Sequence, residues 1–365
     1  MKVKKIIHVL TDTNIGGAGI WLLNFARAYN PEKYDCTALL PEKSLLTKKL
    51  TDLGFRVIEI PKIADKSFSV GGIKEFKKCF KAEKPDIVHT HASLSARIAA
   101  KECGIPVVST RHCIEAPKKG IKKLIYGAVN NSLSDIVIGV SKASCDNLER
   151  DGISKKKLRL VYNGVYPLEK YSDEEKKRIR EAYGIPGDNV TVGIVARLEP
   201  VKNHKLFLNA ANIIGRERDD VSFIIVGGGS LEKELKENCK ELGLEKKVIF
   251  TGYKSDITPE MNIVDINTLT SQREALSISL IEGMSIDIPA VATNSGGPAE
   301  VIENEKNGFI VSNYDEEEFA RAVIKLVNDK ELRHKMGVEG RKRAKDVFSV
   351  ETMMKKLEDI YDNLK

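Results

Sequence analysis

Near its start the chain reads Ile6-Ile-His-Val-Leu10, then Thr11-Asp-Thr-Asn-Ile-Gly16-Gly17-Ala18-Gly19, and a helical pattern carries on from 18 to 29. A short apolar run, a glycine-containing turn and an amphipathic segment form the repeating unit of a parallel sheet. Parallel neighbours need a crossover long enough to hold a helix. The same order recurs through the first half, with strand patterns at 36–40, 56–60, 87–89, 107–109, 136–140 and 158–161. Helical patterns fall between them at 45–53, 73–83, 93–103 and 143–150. Residues 166–189 interrupt the alternation with Pro167, a charged run over 173–180 and Gly184-Ile-Pro-Gly187. Strand patterns then resume at 191–196, 222–226, 248–251, 263–268, 289–292 and 309–311. Helices are expected near 205–216, 231–242, 275–285, 298–303 and 316–328, with two more at 331–346 and 350–363. The pattern predicts an α/β chain of two Rossmann-like domains facing a central cleft, with ligands beyond the carboxyl ends of the strands. The expected bounds are 1–166 for the first domain, 167–188 for the connection and 189–347 for the second domain.

Bulk properties agree with two domains. At 365 residues the chain exceeds the size at which one core usually divides. Hydrophobic residues at 42% and charged residues at 30% describe a folded globular protein rather than a disordered one. The net charge of +7 favours anionic ligands such as phosphates, or an acidic membrane surface; with no nucleic-acid-binding signature beside it, nucleic acid is not an expected partner. Six cysteines are scattered without a C-x-x-C pair, which argues against zinc and redox motifs and fits reduced thiols in the cytoplasm. The first apolar run stops at Thr11-Asp12, short of a signal sequence, and no apolar stretch approaches a bilayer span, so any membrane contact is expected to be peripheral.

The stretch richest in chemistry is Thr270-Ser-Gln-Arg-Glu274-Ala-Leu-Ser-Ile-Ser-Leu-Ile-Glu282-Gly-Met. Its two carboxylates bracket a nearly apolar helix and suit a ligand with many hydroxyls, since charge-assisted hydrogen bonds are the strong ones. The turn with Gly16 and Gly17 allows a phosphate or sugar to approach the backbone at a helix N-terminus, or serves as a simple close-packed turn. Arg197 and Lys202, in Ala196-Arg-Leu-Glu-Pro-Val-Lys-Asn-His204 after a strand, suit a diphosphate, or are the cations of a solvated loop. Gly227-Gly228-Gly229-Ser230 brings backbone close to a ligand or makes a tight strand–helix turn. Asn294-Ser-Gly-Gly-Pro298 opens a helix and is a second anion-facing candidate. His89 and His91 share a strand face without an evident third metal ligand, and His112 ends a strand and is expected to enter the cleft. The segment 117–129 interleaves four lysines with apolar residues; it fits an anionic membrane surface or a helix with a solvated basic face.

In order, these pieces resemble the family 4 retaining glycosyltransferases of GT-B fold over nearly the whole chain. The resemblance is carried by Gly16-Gly17-Ala18, Asp86-Ile-Val-His-Thr-His91, Val140-Ser-Lys142, Val161-Tyr-Asn-Gly-Val165, Ala196-Arg-Leu198 with Lys202-Asn203, Val226-Gly-Gly-Gly229, Phe250-Thr-Gly-Tyr253, and the Glu274/Glu282 pair followed by 289–300. It implies a nucleotide-sugar donor, UDP-sugar favoured, held mostly by the second domain. The implied acceptor is a glycan or lipid-linked intermediate of surface-polysaccharide or glycolipid synthesis. By the resemblance Arg197 and Lys202 stabilise the charge growing on the diphosphate, Glu282 holds the ribose, and Glu274 holds hydroxyls of the transferred sugar. Gly17 beside Gly16 offers its amide to the distal phosphate or sugar, and the backbone around Gly228 and Tyr253 borders the nucleotide. His112 lies near the sugar's 6-position. Transfer is expected with retention, by front-face attack, with no metal and no other cofactor, in a cytoplasmic enzyme touching the inner face of the membrane at most peripherally. The last helix, 348–365, is expected to cross back onto the first domain.

Two departures stand out. The family often has Glu-Gly-Phe-Gly where this chain has Glu274-Ala275-Leu276-Ser277, although small Ala275 and Ser277 still allow amide contacts. Asp287 stands where glycine is common, and Asp tolerates left-handed backbone better than most residues. The first loop lacks Lys-Thr-Gly-Gly, which argues against glycogen and starch synthases. A phosphorylase would need a phosphate site and a pyridoxal-phosphate lysine, neither of which is apparent. A dehydrogenase is disfavoured by the missing dinucleotide fingerprint. A sugar-nucleotide epimerase and a non-catalytic nucleotide-sugar-binding protein of the same fold are the alternatives.

Overall fold

The computed structural model describes residues 3–364. It divides into two compact units, Met1–Gly164 with Ser349–Lys365, and Val165–Phe348.

The first unit is built on seven parallel strands: β1 (Lys4–Val9), β2 (Tyr34–Pro41), β3 (Arg56–Ile60), β4 (Ile87–Thr90), β5 (Val107–Arg111), β6 (Ile136–Gly139) and β7 (Leu158–Leu160). Every residue of β4 and β5 is buried, as expected of strands covered on both faces by helices. Serines start three of those helices. Ser69, Ser93 and Ser141 accept hydrogen bonds from the amides of Gly72, Ala96 and Ser144 at 3.2, 3.3 and 2.9 Å. The last helix, Val350–Asn363, belongs to this unit and buries Val350, Met353, Met354, Leu357, Ile360 and Tyr361, a single stripe at helical spacing.

The second unit carries six parallel strands: β8 (Val190–Val195), β9 (Val221–Val226), β10 (Val248–Gly252), β11 (Ile266–Leu269), β12 (Ala290–Thr293) and β13 (Gly308–Val311). One face of the sheet buries Ile194, Phe207, Phe223, Ile225, Phe319 and Val323. The other buries Ile224, Val226, Met261, Ile263 and Ile185. Residues 167–188 lie on this second face. Their helix, Asp173–Ala182, starts with a capping box of Ser172 and Glu175 and has no fully buried residue, yet Leu168, Ile179 and Tyr183 pack against the cluster. Arg180 ties the helix to Asp265 at 2.6 Å.

Strand order positions the functional loops. The first sheet runs β3-β2-β1-β4-β5-β6-β7 and the second β10-β9-β8-β11-β12-β13. The order reverses between β1 and β4 in one and between β8 and β11 in the other. At such a switch point the loops leaving the two central strands part in opposite directions and open a crevice. The doubly wound α/β class expected from the alternation is therefore the class observed. Among the described residues no helix is long and apolar enough to cross a membrane.

Candidate functional site

After β8 the chain leaves the second sheet through Ala196, Arg197 and Leu198. Leu198 is fully buried; its amide donates to the Gly228 carbonyl and its own carbonyl accepts from Leu231, both at 3.0 Å. Those bonds lash the loop after β8 to the glycine loop after β9. The contact needs glycine: at Gly227 φ is +149°, and a Cβ there would lie 2.1 Å from the Ala196 carbonyl oxygen. The tight-turn reading of the three glycines thus has a specific content, which is to hold the Arg197 loop in place. Arg197 itself is exposed, and its guanidinium forms no ion pair with any described residue. Gly228 rests against Tyr253, whose side chain follows β10 and is exposed.

On the far side of the switch point, β11 leads into Thr270 and Ser271. The Thr270 hydroxyl donates to the Lys202 carbonyl at 2.9 Å, and the Gln272 amide donates to the Val201 carbonyl at 2.8 Å. These two straps bring together residues 72 apart in sequence, Lys202 and Glu274. The Lys202 ammonium is paired with Oε2 of Glu274, which also accepts from the Ser271 hydroxyl at 3.2 Å. Oε1 has no partner among the described residues. Both side chains are mostly buried.

The backbone of Glu274 is fixed as well. Its amide donates to Ser295 at 3.0 Å and its carbonyl accepts from Gly297 at 2.9 Å; a Cβ at Gly297 would stand 1.9 Å from the Ala275 carbonyl oxygen. Ala275, Leu276 and Ser277 turn their side chains inward, and the Ser277 hydroxyl caps the helix Ile278–Ser285 by accepting from the Leu280 amide at 3.3 Å. The amides of Ala275, Leu276 and Ser277 donate to no described residue. Three unspent donors at the positive end of a helix, directly after the Glu274 that holds Lys202, form a surface suited to an anion. Glu282 lies in the second turn of that helix, half-buried. Burial, with a smaller contribution from Asp256, pushes its carboxyl up to about 7. Asp287, in the position where glycine was the family habit, has φ +69° and so uses the tolerance expected of it.

The remaining candidates belong to the first unit. Gly16 is the N-cap and Gly17 the first residue of the helix Gly17–Ala28. A Cβ at Gly16 would meet only an Asp12 carboxylate oxygen, at 3.9 Å, so close packing is not the reason for glycine there. His112 follows β5 directly. The sequence presents it as a lone histidine reaching into a cleft; in the structure it is the outer member of a row of four. Its Nε2 is 2.8 Å from Nδ1 of His91, and ring centroids step from His8 to His89 to His91 to His112 at 5.0, 4.8 and 5.1 Å. Burial holds His8 and His112 down at about 3, and His89 and His91 well below the usual histidine value. Ligand atoms of His8, His89 and His91 lie within 4.8 Å of one another. The third partner that the sequence reading did not find for His89 and His91 is thus His8, brought opposite His89 by the register of β1 on β4. Both nitrogens of His89 are already engaged, Nδ1 by the Tyr361 hydroxyl at 2.5 Å and Nε2 by the Thr110 hydroxyl at 2.7 Å.

Besides His8, sequence reasoning missed the part of Ser271 and Thr270, which steer Lys202 and Glu274, and of Asp256, whose charge adds to the rise at Glu282. His8 and Asp256 carry no motif; Thr270 and Ser271 stand in the stretch read for Glu274, and the pairing of β11 with β8 sets Thr270 against Lys202.

Comparison with known proteins bears on both units. The description Glycosyltransferase Family 4 matches residues 15–167, and Glycosyl transferases group 1 matches residues 175–343. A putative glycosyltransferase of Bacillus subtilis, EpsD, is 30% identical over 304 residues, covering 79% of each chain. The Escherichia coli UDP-Gal:alpha-D-GlcNAc-diphosphoundecaprenol alpha-1,3-galactosyltransferase is 28% identical, over 98% of this chain and 96% of its own. Among solved structures, Anabaena HepE in complex with UDP and glucose superposes with a TM-score of 0.88 at 23% identity, covering 99% of this chain and all of that one, a likeness of fold.

Proposed function

The chain belongs to glycosyltransferase family 4, and from that premise we propose that it transfers a hexose from a UDP-sugar to a lipid-linked or surface-polysaccharide glycan, with retention and without a metal ion. The observation that carries this reading is the Lys202–Glu274 pair at the second switch point, followed by the three unspent amides, with the exposed Arg197 on the same loop as Lys202. Arg197, Lys202 and the amides together present the charge and donors that a diphosphate takes up as it leaves, which is where a preorganised site lowers a barrier most. Lys202, held by Glu274, and Arg197 supply the positive charge that a divalent ion would otherwise bring.

Glu274 spends Oε2 on Lys202 and Ser271, which leaves Oε1 to accept from a hydroxyl of the transferred sugar. Glu282, raised toward neutrality by burial, gains a pair of donors when it accepts from ribose hydroxyls. Tyr253 and Gly228 border the base. The bond from the anomeric carbon to the distal phosphate oxygen breaks with its electron pair going to the diphosphate. The acceptor oxygen then bonds to the same face of that carbon, and its proton passes to the departing phosphate oxygen. The roles of Gly16, Gly17 and His112, at the distal phosphate and the sugar, rest on the family resemblance. A uridine donor and a diphospholipid-linked acceptor are supported by the activity that the E. coli relative is named for.

The test is a thermal-shift panel of UDP-, GDP- and ADP-sugars, followed by transfer kinetics of Glu274→Ala. A UDP-sugar is expected to give the largest rise in melting temperature, since a ligand of the folded state adds to stability. Transfer by Glu274→Ala at saturating donor is expected to fall about 100-fold. A preference for GDP or ADP sugars overturns the donor assignment, and unimpaired transfer by the variant overturns the role of Glu274.

A further inference from the structure

The helix Gly120–Leu133 of the first unit is amphipathic the wrong way round for a surface helix. Ile121, Leu124 and Ile125 are 68, 67 and 56% exposed, and Ala128 is exposed beside them. These four positions are spaced i, i+3, i+4 and i+7, so they form one stripe. The inward face is instead lined by Gly127 and Asn130. Gly127 lies so close to the neighbouring turn that a Cβ there would be 2.7 Å from the Gly152 carbonyl oxygen. Asn130 accepts from Arg97 and Arg111 at 2.6 and 2.7 Å. The helix is therefore held by its polar and small face, and its apolar face is turned out.

The helix itself carries charges of one sign. No acidic residue occurs between Glu115 and Asp135, while Lys118, Lys119, Lys122 and Lys123 all fall at the start of the helix. Lys118 is spent locally, paired with Glu115 at 2.5 Å and lying 4.0 Å over the Tyr126 ring. Lys119 and Lys122 are exposed without an ion pair to any described residue. The turn Lys155–Lys157 adds two more exposed lysines, Lys155 and Lys156, and is bound to the end of the helix through Asn131, whose Oδ1 accepts from the Ser154 amide at 2.9 Å. Cations at a helix N-terminus oppose the helix dipole. Phosphates lying against that end relieve both the dipole and the lysines, while acyl chains cover the stripe.

We propose that the helix Gly120–Leu133 is an interfacial docking element that lays Ile121, Leu124 and Ile125 into an anionic phospholipid surface, with Lys119, Lys122, Lys155 and Lys156 on the headgroups. The rim of lysines selects anionic lipid over a second copy of this chain, whose matching face would carry the same charges. The inference stands apart from the donor reading, because binding to vesicles requires no nucleotide sugar.

Co-sedimentation of the full chain with vesicles tests it. Vesicles of phosphatidylcholine with 30% phosphatidylglycerol are compared with phosphatidylcholine alone, at low and high salt. The wild type is expected to bind the anionic vesicles and to leave them as salt rises. The exposed triple variant Ile121→Ser, Leu124→Ser, Ile125→Ser is expected to lose binding while its melting temperature and its donor-induced thermal shift stay unchanged. Each of Lys119→Gln and Lys122→Gln is expected to weaken binding about five-fold. Equal binding to neutral vesicles, or full binding by the triple variant, overturns the proposal. So does a wild type that ignores vesicles but self-associates in the ultracentrifuge through a contact the triple serine variant abolishes, since the stripe then belongs to a second copy.

Discussion

The two sheets share a doubly wound order, yet their switch points hold opposite chemistry. Where β1 and β4 part, the first unit gathers His8, His89, His91 and His112 around Trp21, all held neutral by burial. Where β8 and β11 part, the second unit gathers Arg197, Lys202 and Glu274, a cation exposed to solvent and an ion pair with one oxygen that no described residue engages. The same backbone crevice is thus closed by uncharged rings in one unit and lined with charge in the other. Topology sets where a site can lie, and side chains decide which of two equivalent crevices carries charge.

The sharpest way to test this contrast is acid. The folded values of His8 and His112, about 3, lie below the unfolded value near 6.5. Between those limits the unfolded chain takes up more protons than the folded one, so stability is intact above pH 6.5 and is lost as pH falls. At pH 5 these two histidines together cost about 4 kcal/mol, with His89 and His91 acting in the same direction. Urea titrations at pH 7.5 and pH 5 measure it. His8→Phe, which deletes two unpartnered buried nitrogens, is expected to make the pH dependence shallower; an unchanged dependence would remove the histidine row as its cause.

The charged crevice answers to a different change. Lys202→Ala is expected to lower kcat about 100- to 1,000-fold and to cost about 1–3 kcal/mol of stability, since it leaves the mostly buried Glu274 carboxylate without its cation. A large loss of stability with little loss of turnover would make the Lys202–Glu274 pair a structural feature and erase the contrast. The smallest expected effect concerns Glu282. With its carboxyl at about 7, the ionised fraction rises about ten-fold from pH 6 to pH 8, and affinity for UDP is expected to follow by about the same factor. Isothermal titration across that range measures it, and Glu282→Gln is expected to flatten the profile.

Much of the fold could be read along the chain, because burial on both faces leaves short apolar runs at regular intervals. The strand expected at 222–226 is Val221–Val226, and the helix expected at 350–363 is Val350–Asn363. The misses have local causes. The strand expected at 263–268 is Ile266–Leu269, because Ile263 and Val264 turn inward after the short helix Thr258–Asn262, which has no apolar period long enough to announce it. The helix expected from 275 begins at Ile278, since Glu274 is drawn into a bridge with Gly296 and Ser277 supplies the cap. At the candidate site the loops could be placed from the sequence, but the contacts between their side chains could not. The resemblance gave Lys202 to the diphosphate and Glu274 to the sugar; nothing in the order of residues says that the two touch, because the contact depends on β11 lying beside β8. His8 was silent for the same reason, as an ordinary strand residue until β4 is laid against it.

The chain has a single tryptophan, and it is Trp21, 2% exposed, stacked at 6° on Phe25 and 4.6 Å from the ring of His91. Its emission therefore reports on one half of the molecule only. Far-ultraviolet dichroism sees both halves, so recording the two signals in one titration separates the unfolding of the histidine-bearing unit from that of the charged one. The molecule carries its own optical label for asking whether its two sheets melt together or in turn.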